Sequence, residues 1–225
     1  MVNVFSSPTP EEYSTALALA AEHPSMHLNF GLQPTHATPE TFKVFETALG
    51  HARGKVCAVG EVGLDYYWEK DPAVHKTQEV IFVRTVEVAN QEGLPLVIHS
   101  RKAESACLDV LENHAEVPVL LHGFEGKAEE VKRAVDLGYY VTIPTSVVNR
   151  RKYRQVAKRF PLERIMLETD SPFQLPFDPP KGGDRPRNEP NAVRQSCQKI
   201  ADLLDLLFED VARQTTQTTT SFFGL

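Results

Sequence analysis

Cysteine is scarce in this chain. Cys57, Cys107 and Cys197 are its only three, far apart and without a CxxC pair, which argues against both a thiolate zinc site and a disulfide framework and suits a reducing cytoplasm. Long apolar runs are missing as well: none approaches the ~20 residues a membrane span needs. The opening Met1-Val2-Asn3-Val4-Phe5-Ser6-Ser7 has no basic segment ahead of an apolar one, so no signal peptide is expected. An excess of positive charge is absent, with 24 Lys+Arg against 30 Asp+Glu and a formal charge of −6. That argues against a general nucleic-acid coat but leaves room for a local basic patch. Repeats, low-complexity runs and an obvious interdomain linker are also lacking. What remains, 41% hydrophobic and 24% charged over 225 residues, is the composition of an ordinary globular chain, read as a single domain over 1–225.

The pattern that is present alternates strand and helix. Short apolar runs fall at 2–5, 26–30, 56–59, 95–98, 118–121, 139–143 and 164–167. Helical periodicity fills 11–22, 39–49, 73–92, 102–114, 127–137, 150–160 and 191–207. Thr9-Pro10 and Thr38-Pro39 read as helix starts, Gly93 and Gly138 as helix stops. Strands that each lead into a helix imply parallel pairing with right-handed crossovers, so a (β/α)8 barrel or an open doubly wound sheet. Neither GxGxxG nor GxxxxGK[ST] follows the first strand, which removes the usual fingerprint of a dinucleotide or P-loop fold. The stretch 171–190 is rich in Pro and Gly and reads as a long functional loop.

Polar residues at the strand ends carry the chemical signal. Glu61 follows the third run, His99 the fourth, His122 the fifth, and Glu168 and Asp170 the seventh. The carboxyl ends of barrel strands are where active sites form. Two imidazoles with one or two carboxylates suit Zn²⁺ or Mn²⁺, and a more oxygen-rich set suits Mg²⁺. Such an ion would activate water near neutral pH. Each residue alone has a plainer reading. Asp170 is open to capping a turn at Ser171-Pro172, Glu61 to pairing with a lysine, and Asp65 equally to capping the next element or meeting substrate. Their coincidence at equivalent strand ends is what favours a site.

Several segments in order resemble the TatD family of metal-dependent hydrolases. They are Gly60-Glu61-Val62-Gly63-Leu64-Asp65-Tyr66, Pro95-Leu96-Val97-Ile98-His99-Ser100-Arg101 and Leu121-His122-Gly123-Phe124-Glu125-Gly126. Leu167-Glu168-Thr169-Asp170-Ser171-Pro172, Arg187-Asn188-Glu189-Pro190 and the ending Thr218 to Leu225 continue the series. The resemblance implies a TIM-type (β/α)8 barrel that cleaves phosphodiester bonds in DNA with one or two divalent ions (Mg²⁺, Mn²⁺ or Zn²⁺). By the same resemblance Glu61 is shared between two metals, His99 and His122 complete one metal position, and Asp170 binds the other or acts as base.

Two departures stand out. The family's first strand carries His-x-His, and no HxH occurs in this sequence. The run at 2–5 resembles the family's second strand, so the first strand-helix unit is absent from the chain. A start read too late is the expected explanation, beside a true shortened variant or a partner strand. Gly31-Leu32-Gln33-Pro34-Thr35-His36-Ala37 stands where the family has Gly-x-His-Pro-His, so His36 is either a substrate-phosphate contact or a plain loop histidine.

Arg150, Arg151, Lys152, Arg154, Lys158 and Arg159 fill six of ten positions, most simply as a solvated helix face. Lys181, Arg185 and Arg187 lie in the long loop, and Arg187 is expected at a substrate phosphate, with pairing to Glu189 as the alternative. Tyr66, Tyr67 and Trp68 suit base stacking or packing over the barrel mouth equally. The expected protein is a cytoplasmic deoxyribonuclease acting on DNA or another phosphodiester. Its alternatives are a non-catalytic barrel used in binding or assembly, and a hydrolase of amide, ester or lactone bonds.

Overall fold

The computed structural model describes residues 3–7, 9–178 and 186–225. They fall into two compact units, Met1–His122 with Thr220–Leu225, and Gly123–Thr219. Lys181 and Arg185 lie outside the described residues.

In the first unit five parallel strands pair in chain order: β1 (Asn3–Ser7), β2 (Met26–Phe30), β3 (Val56–Asp65), β4 (Leu96–Arg101) and β5 (Val119–Leu121). Between them run α1 (Tyr13–Glu22), α2 (Pro39–His51), α3 (Pro72–Glu92) and α4 (Glu104–His114). In the second unit β6 (Tyr140–Ile143) pairs in parallel with β7 (Ile165–Leu167). That unit also carries α5 (Ala128–Asp136), α6 (Arg151–Ala157) and α7 (Val193–Leu204), and α8 (Phe208–Phe223) closes the chain.

The helix starts follow their capping chemistry. Thr38 accepts the Thr41 N–H while Thr41 Oγ1 accepts the Thr38 N–H, with Pro39 next in line. This reciprocal pair satisfies two donors that a helix start otherwise leaves free. Asp71 caps α3 through the Ala73 N–H, and Gly93 ends it in the left-handed region at φ +64. The helix expected over 11–22 opens instead as a 3-10 turn, Pro10–Glu12. The one expected over 191–207 stops at Leu204, where Asp205 turns left-handed at φ +55.

Burial explains why parallel strands form here. Leu28, Phe30, Leu64, Leu96, Ile98 and Leu121 are all buried, as are the helix residues Phe42, Phe45 and Phe82. Strands covered on both faces read as continuous apolar runs, and each such side chain contributes roughly 1.5–3 kcal/mol on burial. The second unit has its own core in Val131, Val141, Ile143, Tyr153, Ile165 and Ile200.

Strand β3 differs most from its sequence reading. It continues past 59 to Asp65, and its register against β4 steps from Gly60↔Val97 to Val62↔Ile98. Glu61 is therefore the extra residue of a β-bulge inside the strand rather than the first residue of a loop. A bulge is a common way to re-aim one side chain beside a site.

Candidate metal centre

Glu61 from the bulge within β3, His99 from β4 and His122 just past β5 come together. Glu61 Oε2 stands 3.8 Å from His99 Nδ1 and 3.8 Å from His122 Nε2. The three side chains keep only 14–18% of their surface in contact with solvent. The backbone around Glu61 is crowded: a side chain at Gly31 would strike the Gly60–Glu61 peptide, and one at Gly63 would strike the His99 carbonyl. Gly63 also has φ +140, which side chains rarely adopt. These glycines let three strands close around one carboxylate.

Asp65 completes the arrangement. It is fully buried, and its Oδ2 lies 2.9 Å from His99 Nε2. Its Oδ1 accepts the N–H groups of Tyr67 and Trp68, both at 2.8 Å. Its own N–H donates to the buried Gln78 of α3. In the neutral form of His99, with Asp65 ionised, Nε2 donates to Asp65 and Nδ1 is left with its lone pair toward Glu61. An imidazole held by a carboxylate on one nitrogen and free on the other is the usual form of a metal-binding histidine.

The electrostatics point the same way. Burial alone would push the Glu61 carboxyl up, but His122 and His99 beside it, with a hydrogen bond from Ser6, bring it down to about 2. Burial would lower His99, yet Asp65 and Glu61 hold its proton and raise it. Asp65 is lowered, since His99 and the two turn N–H groups outweigh its burial. Ser6 in turn accepts from Asn29 Nδ2 at 3.0 Å. Two carboxylates, Glu61 and Asp65, set on either side of one imidazole suit a cation by charge. Two imidazoles and a carboxylate fit Zn²⁺ or Mn²⁺ by donor type. The side chains are not drawn to one point: no group of three or more donors among the described residues is closed around an ion position.

Asp170 lies in the second unit, half-buried at the end of β7, with a left-handed backbone at φ +53. Its carbonyl accepts the Phe173 N–H at 2.7 Å. The buried Asn188 fixes this corner by donating to the carbonyls of Thr169 and Phe173 and to Thr145 Oγ1, each at 2.7 Å. Arg187, one residue earlier, is exposed. His36 is exposed on the 3-10 turn Pro34–His36, with Nδ1 3.2 Å from Thr35 Oγ1. Much of the basic cluster is tied down. Arg150 and Lys152 pair with Glu125 at 3.2 Å, and Arg154 donates to the carbonyls of Val147 and Val148.

Ser6, Asn29 and Gln78 were not singled out by sequence. Their one signal is a polar residue inside an otherwise apolar strand or helix face, and that signal has no direction until the register Ser6↔Asn29 is known.

The family model for TatD-related DNases matches residues 1–224. The chain is 30% identical to the metal-dependent hydrolase YabD of Bacillus subtilis, over 98% of this chain and 85% of that one. It is 31% identical to the human deoxyribonuclease TATDN3, over 86% and 70% respectively. Among solved structures it resembles YJJV, a TatD homologue of Escherichia coli, with a TM-score of 0.85 and 26% identity over 99% of this chain and 86% of that one. The fold class is that of the TIM-type barrels, with seven strands among the described residues.

Proposed function

The chain belongs to the TatD-related DNase family, and from that premise we propose that it is a metal-dependent hydrolase cleaving phosphodiester bonds in DNA. The observation that carries this reading is the Glu61 carboxylate, ionised and flanked at 3.8 Å by both His99 and His122. We take 1–225 as one hydrolase domain, in keeping with the family match over 1–224. We place it in the cytoplasm, in keeping with three free cysteines. Among the described residues no helix is long and apolar enough to cross a membrane.

Glu61, His99 and His122 would hold the divalent ion, Mg²⁺, Mn²⁺ or Zn²⁺, with Asp65 fixing the tautomer of His99. Such an ion, when bound, supplies Lewis acidity toward a phosphoryl oxygen and lowers the pKa of water. Asp170 would accept the proton of the attacking water or take part in holding a second ion. The water oxygen joins phosphorus, the bond to the leaving sugar oxygen breaks, and that oxygen takes up a proton. The exposed Arg187 and His36 would meet the substrate phosphates, where a guanidinium offsets charge that develops in the transition state.

The test is a nuclease assay with added Mg²⁺, Mn²⁺ or Zn²⁺, comparing wild type with Glu61→Gln and His122→Ala. Both variants are expected to lose at least ~100-fold in rate, the scale of losing an electrostatic contact at the reacting centre. Equal activity in all three proteins would remove the assignment. No cleavage by wild type with any ion, together with a bound ion, would favour a binding role.

A further inference from the structure

Of the three consecutive aromatics after β3, only one has a structural task. Tyr66 donates its hydroxyl to Glu79 at 2.7 Å and stacks on His75 with centroids 4.0 Å apart. Tyr67 and Trp68 face solvent, 41% and 65% exposed, and meet edge to face at 4.9 Å. Leaving so much of an indole in water is unfavourable, and packing over the strand ends does not account for it.

The turn that displays these rings is fixed. Asp65 Oδ1 takes the N–H groups of Tyr67 and Trp68, Lys70 Nζ donates to the Tyr66 carbonyl at 2.8 Å, and Glu69 takes the N–H groups of Lys70 and Asp71. Two cations stand over the rings. Arg101 Cζ lies 4.3 Å from the Tyr67 centroid and 5.3 Å from that of Trp68, and Lys70 Nζ lies 5.2 Å from Tyr67. Among the described residues neither cation has a carboxylate at ion-pair distance. The surface is also joined to the metal centre: the carboxylate that anchors Tyr67 and Trp68 is the one that holds His99, and Arg101 is two residues beyond His99 on β4.

We propose that Tyr67, Trp68, Arg101 and Lys70 form a subsite for one unpaired nucleobase and its adjoining phosphate. The base stacks on the open indole, and the two cations offset the phosphate charge. This rests on the nuclease reading and adds to it where the strand is gripped and in what form. A paired base keeps its faces inside the duplex, so only a frayed or single strand can use the indole. Every base has a π-face, so the subsite tolerates any sequence.

Trp68 is the only tryptophan in the chain, so its emission reports this subsite alone. Metal-free protein, kept in chelator so that nothing is cleaved, is titrated with a labelled oligothymidylate, an abasic strand of equal length and a duplex. Emission and label anisotropy are followed together. Oligothymidylate should quench Trp68, the abasic strand should bind more weakly without quenching, and the duplex should bind most weakly. Trp68→Ala should weaken oligothymidylate binding by about 5- to 100-fold, the range for losing one stacked base, and Trp68→Phe should restore most of it. Arg101→Ala should flatten the salt dependence by about one phosphate contact. Unchanged Trp68 emission while anisotropy shows bound DNA would overturn the proposal. So would equal affinity for duplex and single strand, or wild-type binding by Trp68→Ala. The nuclease reading fails separately: quenching without cleavage once metal is added leaves the subsite and removes the activity, and cleavage without quenching does the reverse.

Discussion

Each oxygen of the Asp65 carboxylate has its own task, and the consequence can be worked out from hydrogen-bond chemistry. One oxygen caps the Tyr67–Trp68 turn; the other accepts from His99 Nε2. Asparagine would keep an oxygen for the turn but would present an amide donor to His99. The imidazole then has to accept at Nε2 and carry its proton on Nδ1, the nitrogen that faces Glu61. Asp65→Asn should therefore fold normally while its divalent-metal affinity falls about 10- to 100-fold, the usual cost of losing the group behind a ligating histidine. Competition against a chromogenic chelator measures this, and wild-type affinity would show that Asp65 only caps the turn. In sequence Asp65 was poised between a cap and a substrate contact. Its second oxygen was illegible because it depends on register: Gly63 pairs with His99, so Asp65 stands diagonally across from that histidine. The histidines and Glu61 are legible, since each histidine directly follows an apolar run and Glu61 follows one after Gly60.

At the scale of elements, what could be read was the order of strands and helices, because continuous apolar runs bounded by Thr-Pro and Gly mark both ends of an element. The bulge in β3 could not be read. Glu61 sits within a strand whose apolar alternation, Val62 and Leu64, simply resumes beyond it. The basic cluster at 150–159 reads as a solvated face by its pattern, and in the structure Glu125 ties down two of its cations. Burial would raise the Glu125 carboxyl, but Lys152 and Arg150 beside it bring it below the ordinary carboxylate range. A depressed folded value adds stability above the unfolded value, near ~4.3, and that stability fades as pH falls through the folded value. Both cations are 54% exposed, so solvent screening limits the effect to about 1 kcal/mol or less. Glu125→Gln should lower the urea unfolding free energy by that amount at pH 7. The gap to wild type should narrow steadily below pH 5, and a gap that widens toward acid would contradict the pairing.

For the whole molecule, the question is how many ions a chain without His-x-His holds. Glu61, His99 and His122 all lie in the unit Met1–His122, whereas Asp170 belongs to Gly123–Thr219. Among the described residues the three first-unit donors form one set of ligands by type. One tightly held ion per chain is therefore expected after dialysis, read by elemental analysis. An ion that binds only the folded chain at ~100 times its dissociation constant adds ~2.7 kcal/mol. For a chain of this length that raises the melting temperature by roughly 5–10 °C, and chelation should reverse it. His122→Ala should lose both the ion and the shift. Asp170→Asn separates the two roles left open for that residue. As a base it can be replaced without loss of the ion, so the variant should keep the thermal shift while hydrolysis falls. A variant that loses the ion together with the activity would instead make Asp170 a ligand, and the first-unit donors alone would no longer suffice.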